Sequence, residues 1–76
     1  MSISVKYFAS IRERLNRSEE SLAAEGICTA GEVWVRTTGE ALPANVLVAI
    51  NQEHARAGDT VQDGDEVAFF PPVTGG

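Results

Sequence analysis

The chain has 76 residues, 43% of them apolar, and a formal net charge of −5 from 11 acidic and 6 basic side chains. That length allows one domain with a modest core and leaves no room for a cofactor cavity and a catalytic cluster beside it, which points to a module acting with larger partners. The apolar fraction is that of a globular chain, not a disordered one, and no basic stripe marks a nucleic-acid binder.

Elements follow in order along the chain. In "SISVKYF" the apolar residues alternate, placing Ile3, Val5 and Tyr7 on one face and Ser4, Lys6 and Phe8 on the other, which predicts a half-buried strand. "ASIRERL" sets Ile11 and Leu15 four apart among charges, a short amphipathic helix over 9–15. "SEESLAAE" has no clear period; a strand over 20–24, hairpin-paired to the first, is the expectation. Thr29 followed by Glu32 is a capping box that starts a helix, with Val33, Trp34 and Thr37 on one face and Gly39 as its stop. Val33, Val35, Thr37 and Thr38 are poor helix formers, so packing must hold this helix.

"VLVAI", 46–50, is dense, branched and short, as a central strand is. Gly58-Asp59 and Asp63-Gly64-Asp65 are turn signals, with a short strand expected over 55–57 and Val61 packing under the loop. The last strand, 66–70, puts Val67 and Phe69 on one face and Ala68 and Phe70 on the other. Pro71-Pro72 cannot donate to a ladder and ends it. One main helix against a single mixed sheet is an α+β fold, read as one domain over 1–76 with a tail from residue 71.

Chemistry-bearing residues are few. His54 and Cys28 are the only histidine and cysteine and fall on unrelated elements. Cys28 is read as a partly buried small apolar residue and His54 as decorating a strand edge. Asp59, Asp63, Asp65 and Glu66 lack calcium-loop spacing and read as turn acceptors. No metal site, phosphate loop or bound cofactor is expected. A lone cysteine allows no internal disulfide, the start lacks a basic segment followed by an apolar run, and no apolar run approaches the roughly 20 residues of a membrane span. A cytoplasmic protein with no membrane and no nucleic-acid partner is the expectation.

What remains is the ending, "FFPPVTGG". If the first and last strands pair, Phe8 and Phe70 form one exposed apolar patch of the kind a partner covers, unless the chain's own loops cover each ring. Pro71, Pro72, Val73 and Thr74 favour an extended exit. Gly75 and Gly76 carry no side chains, so a narrow channel could close on bare backbone and receive the terminal carboxylate. A carboxylate must be activated before it reacts, which calls for an ATP-dependent adenylating enzyme.

"DGDEVAFFPPVTGG", with "AINQ" upstream and "FASIRERL" near the start, closely resembles the small, sulfur-carrier subunit of molybdopterin synthase, the MoaD family, across essentially the whole chain. The resemblance implies a ubiquitin-like β-grasp fold. It implies that Gly76 is adenylated by an ATP-using, ubiquitin-activating-like enzyme and converted to a thiocarboxylate by a sulfur donor, with Gly75 giving access. The loaded tail would enter the active site of the large subunit and supply sulfur to cyclic pyranopterin monophosphate. The small subunit itself would be non-catalytic. Phe8 and Phe70 match positions that face the large subunit in that family, and His54 falls where relatives can carry an apolar contact residue. A thiamine-pathway or tRNA-thiolation sulfur carrier shares fold and ending, and an interaction module whose tail is never loaded is the reading from another class.

Overall fold

The computed structural model describes residues 2–72. Seven elements follow in order: β1 (Ser2–Tyr7), α1 (Ala9–Leu15), β2 (Glu19–Ala23), α2 (Ala30–Thr38), β3 (Leu47–Ile50), β4 (Glu53–Ala55) and β5 (Glu66–Phe70). The strands form one mixed sheet in the order β2-β1-β5-β3-β4, with β1 and β5 parallel and the other neighbours antiparallel. The last strand of the sequence is therefore the middle strand of the sheet. This is the α+β, β-grasp arrangement expected from the sequence.

Strand alternation gives the sheet one buried face. Ile3, Val5 and Tyr7 of β1, Val48 of β3, and Val67 and Phe69 of β5 are buried there together with Ala30, Val33 and Trp34 of α2 and Ile11 of α1. Phe69 is the centre of an aromatic cluster: Trp34 meets it edge-on at 4.9 Å between centroids, and Tyr7 stacks on it at 6.1 Å. Its ring joins the middle strand to the main helix. Arg17 closes one flank, bonding Glu20 at 2.7 Å and the Thr37 carbonyl at 3.0 Å and lying 5.8 Å over the Tyr7 ring. Glu20 also accepts from the Tyr7 hydroxyl at 2.7 Å.

The start of α2 satisfies its free backbone donors in turn. Ala30 N–H donates to the Asp59 carbonyl, Gly31 N–H to Ala57, and Val33 N–H to Thr29. Glu32 N–H donates to the Thr29 hydroxyl as the capping box requires, while the Glu32 carboxylate accepts from Cys28 N–H, one residue before the cap. The loop before Val61 packs so closely that a Cβ on Gly31 would stand 3.3 Å from the Ala57 oxygen. Gly39, with φ of 79°, turns the chain out of the helix.

Four expectations need correction. Strand β2 begins at Glu19 and ends at Ala23, one residue earlier than predicted, and β3 begins at Leu47 instead of Val46. Strand β4 occupies Glu53–Ala55 and not 55–57. Asn51 and Gln52 both have positive φ, 52° and 69°, so they form a two-residue hairpin turn that starts the return strand at once. The fourth is Cys28, which is exposed. Ile27 before it and Ala30 after it take the core positions instead.

Candidate docking surface

The opposite face of the sheet carries the site. Pair register lays it out in rows, since residues paired across neighbouring strands share a face. One row runs Lys6, Ala68, Ala49, His54 across β1, β5, β3 and β4. The next pairs Phe70 with Leu47. Phe8 extends that row, because its N–H continues the ladder onto the Phe69 carbonyl at 3.1 Å.

Phe8 is the residue at which strand becomes helix. Its carbonyl accepts from Ile11 N–H and Arg12 N–H, and it serves as the N-cap of α1 without a side-chain cap. The backbone is thus held at both ends while the ring stays 46% exposed. Ala9, next to it, sits at φ of 52°, a left-handed conformation that costs a non-glycine residue about 1–2 kcal/mol. That residue makes the one-step switch from strand to helix.

Phe70 is half-buried, and the His54 ring meets it edge-on at 6.0 Å. His54 is exposed on β4, the edge strand, as read from the sequence, and it covers one side of Phe70. The two phenylalanines are therefore not equal: Phe8 is open, while Phe70 is partly covered from within the chain. Leu47, paired with Phe70, and Ala49 and Ala68 in the adjoining row share this face, each half-buried. Nothing in the sequence marks these three as functional, although alternation against the buried Val48 and Phe69 places them on this face.

At the start of β5 the motifs "AINQ" and "DGDE" form one hydrogen-bonded knot. The Asn51 amide donates to Asp65 at 3.1 Å and accepts from Glu66 N–H at 3.0 Å, and Gln62 N–H donates to Asp65 at 2.8 Å. The Gln62 N–H and the Asn51 amide hold the Asp65 carboxyl below its usual range. Asp59 caps its own turn through Arg56 N–H. Asp59 and Asp65 thus serve the turns, and among the described residues no group of three or more His, Cys, Asp or Glu could hold a metal ion. Lys6 pairs with Glu66 at 3.1 Å on the outer face.

The knot fixes where β5 begins, and Pro71, with no N–H to donate, ends it after Phe70. Pro71 follows, half-buried, and then Pro72, exposed. The chain leaves from the middle strand at the edge where Phe8, Phe70 and Leu47 lie. Val73, Thr74, Gly75 and Gly76 lie outside the described residues. No helix among those described is long and apolar enough to cross a membrane.

Comparison with known proteins gives this arrangement a family. The chain is 35% identical to the molybdopterin synthase sulfur carrier subunit of Haemophilus influenzae, with 97% of this chain and 99% of that one covered. It superposes on the crystal structure of SAMP1 from Haloferax volcanii with a TM-score of 0.78 and 28% identity, over the full length of both. The same fold occurs in the complex of subunits 1 and 2 of the molybdopterin-converting factor of Helicobacter pylori, at a TM-score of 0.67, 18% identity and full coverage of both chains. The sequence model of the ThiS family matches residues 5–76, and with a β-grasp sheet beneath that match the chain belongs to the ThiS family.

Proposed function

We propose that this chain is the sulfur-carrier subunit of a cytoplasmic molybdopterin synthase. The Gly76 carboxylate attacks ATP in a ubiquitin-activating-like enzyme, giving an acyl-adenylate and pyrophosphate. A sulfur donor then displaces AMP, leaving a thiocarboxylate. The large subunit holds the active site and receives the loaded tail, which passes its sulfur to cyclic pyranopterin monophosphate. The chain binds no cofactor of its own, and ATP belongs to the activating enzyme.

One observation carries the reading: the middle strand ends, at Phe70 and then Pro71, where Phe8, Phe70 and Leu47 form an apolar row. A partner that covers this row stands over Pro71 and Pro72, so docking and aiming are one event. Gly75 and Gly76, without side chains, need only a channel wide enough for backbone, and Val73 and Thr74 precede them. His54 borders the contact through Phe70. The named function of the Haemophilus relative supports the same reading over nearly the whole chain.

The test is intact mass after incubation with the cognate activating enzyme, ATP and a sulfur donor. Replacement of one oxygen by sulfur, confined to the C-terminal peptide, is expected. Absence of that gain with an enzyme proven active on another carrier refutes the reading. Deleting Gly76, or adding one residue after it, should abolish sulfur transfer and leave folding and large-subunit binding intact.

A further inference from the structure

The apolar row does not end the outer face. Beyond Lys6, over β1 and the edge strand β2, lies a cleft of about 340 Å³ lined by Ser4, Val5, Lys6, Glu19, Glu20 and Ser21. Register pairs Lys6 with Glu19 and Ser4 with Ser21, so four of these residues project from the same face as Ala68 and Phe70. The cleft is continuous with the docking surface through the Lys6–Ala68 pair.

Its charges are unevenly used. Lys6 is held by Glu66 at 3.1 Å, and Glu20 is held by Arg17 and the Tyr7 hydroxyl. The Glu19 side chain is exposed, and its carboxylate makes no ion pair or hydrogen bond among the described residues; nor do the Ser4 and Ser21 hydroxyls make a hydrogen bond there. One carboxylate and two hydroxyls thus face a concavity whose only cation is already paired. The chain as a whole carries −5.

We infer that this cleft is a cation-accepting subsite of the docking surface, and that its occupant is an arginine side chain of the docking partner. The inference rests on the proposed large-subunit docking. A guanidinium fits better than an ammonium because its planar fork donates to a carboxylate through two parallel bonds and still reaches a hydroxyl. The partner is then apolar over Phe8, Phe70 and Leu47 and basic over Glu19. The polar end fixes the rotation of the carrier about its tail, which an apolar row alone leaves loose.

The experiment measures the affinity of the full chain for the large subunit by calorimetry at two salt concentrations. Glu19→Lys should weaken binding by about tenfold or more and flatten its salt dependence, and Glu19→Gln should weaken it by a smaller factor. Glu25→Lys makes the same charge change in the loop after β2 and should leave the affinity within about twofold if the effect is local. Circular dichroism checks that each variant is folded. If neither Glu19 variant moves the affinity beyond the Glu25 control, or if either tightens it, the subsite is refuted. Phe70→Ala separates the two levels: weakening by Phe70→Ala alone removes only the cation subsite, whereas indifference to both changes removes the docking reading itself.

Discussion

Phe69 and Phe70 are adjacent in sequence and opposite in role, so truncating each to alanine separates folding from docking. Phe69 is fully buried between Trp34 and Tyr7. Removing a buried phenylalanine ring costs about 3–5 kcal/mol through lost transfer energy and the cavity left behind. A 76-residue domain at the usual 0.05–0.15 kcal/mol per residue holds roughly 4–11 kcal/mol in total. Phe69→Ala should therefore remove a large share of the stability, and at the low end unfold the chain. Phe70 is half-buried on the other face against His54. Its truncation should cost about 1 kcal/mol in folding, in line with ordinary single substitutions. In binding it should cost about 2 kcal/mol or more, roughly 30-fold in affinity, as central aromatic anchors do. Urea unfolding followed by the single buried tryptophan, Trp34, gives the first quantity, and calorimetry with the large subunit gives the second. Equal destabilisation by both substitutions would refute the assignment of Phe70 to the outer face. Unchanged affinity in a folded Phe70→Ala chain would refute its place in the interface.

Tyr7 is the sole tyrosine, and burial pushes its hydroxyl from 10.0 up to about 12, with Glu20 adding to the rise and Thr37 and Arg17 opposing it. Because the folded value is the higher one, the associated stability is present below pH 10 and lost as pH rises through about 12. Tyrosinate absorbance of the folded protein should have its midpoint well above 10, and a midpoint at the free value would refute this. Thr29→Ala removes the acceptor for Glu32 N–H and should lower stability by about 1 kcal/mol in urea unfolding, while Thr29→Ser should keep most of it. Ala9→Gly relieves a left-handed alanine and should stabilise the chain by up to about 1 kcal/mol, the gain being reduced by the greater freedom of glycine in the unfolded state. A loss of stability there would mean the methyl group is packed in a way that outweighs its strain.

Much of the site is legible in the sequence. Period two set Phe70 against Phe69 and Phe8 against Tyr7, because successive strand side chains must point to opposite faces. What escaped was the lateral neighbourhood. Leu47, Ala49 and Ala68 carry no functional signature, and only their pairing beside Phe70 and His54 makes them part of a surface. The position of β4 was missed for a different reason. Gln52 at φ of 69° is not a residue that advertises a tight turn, so the hairpin looked longer than it is.

Local sequence specifies the order and type of the elements, the Thr29 cap, the two faces of each strand and a proline-stiffened ending on glycines. These depend on local sterics and periodicity, which act between residues a few positions apart. Long-range pairing sets β5 between β1 and β3, and so puts Phe8 and Phe70, about 60 positions apart, in one row beside Pro71. Alternation tells each strand which face is wet. It does not tell a strand its neighbour, since that choice is made by how the buried faces of all five strands close over α2 around Phe69 and Trp34.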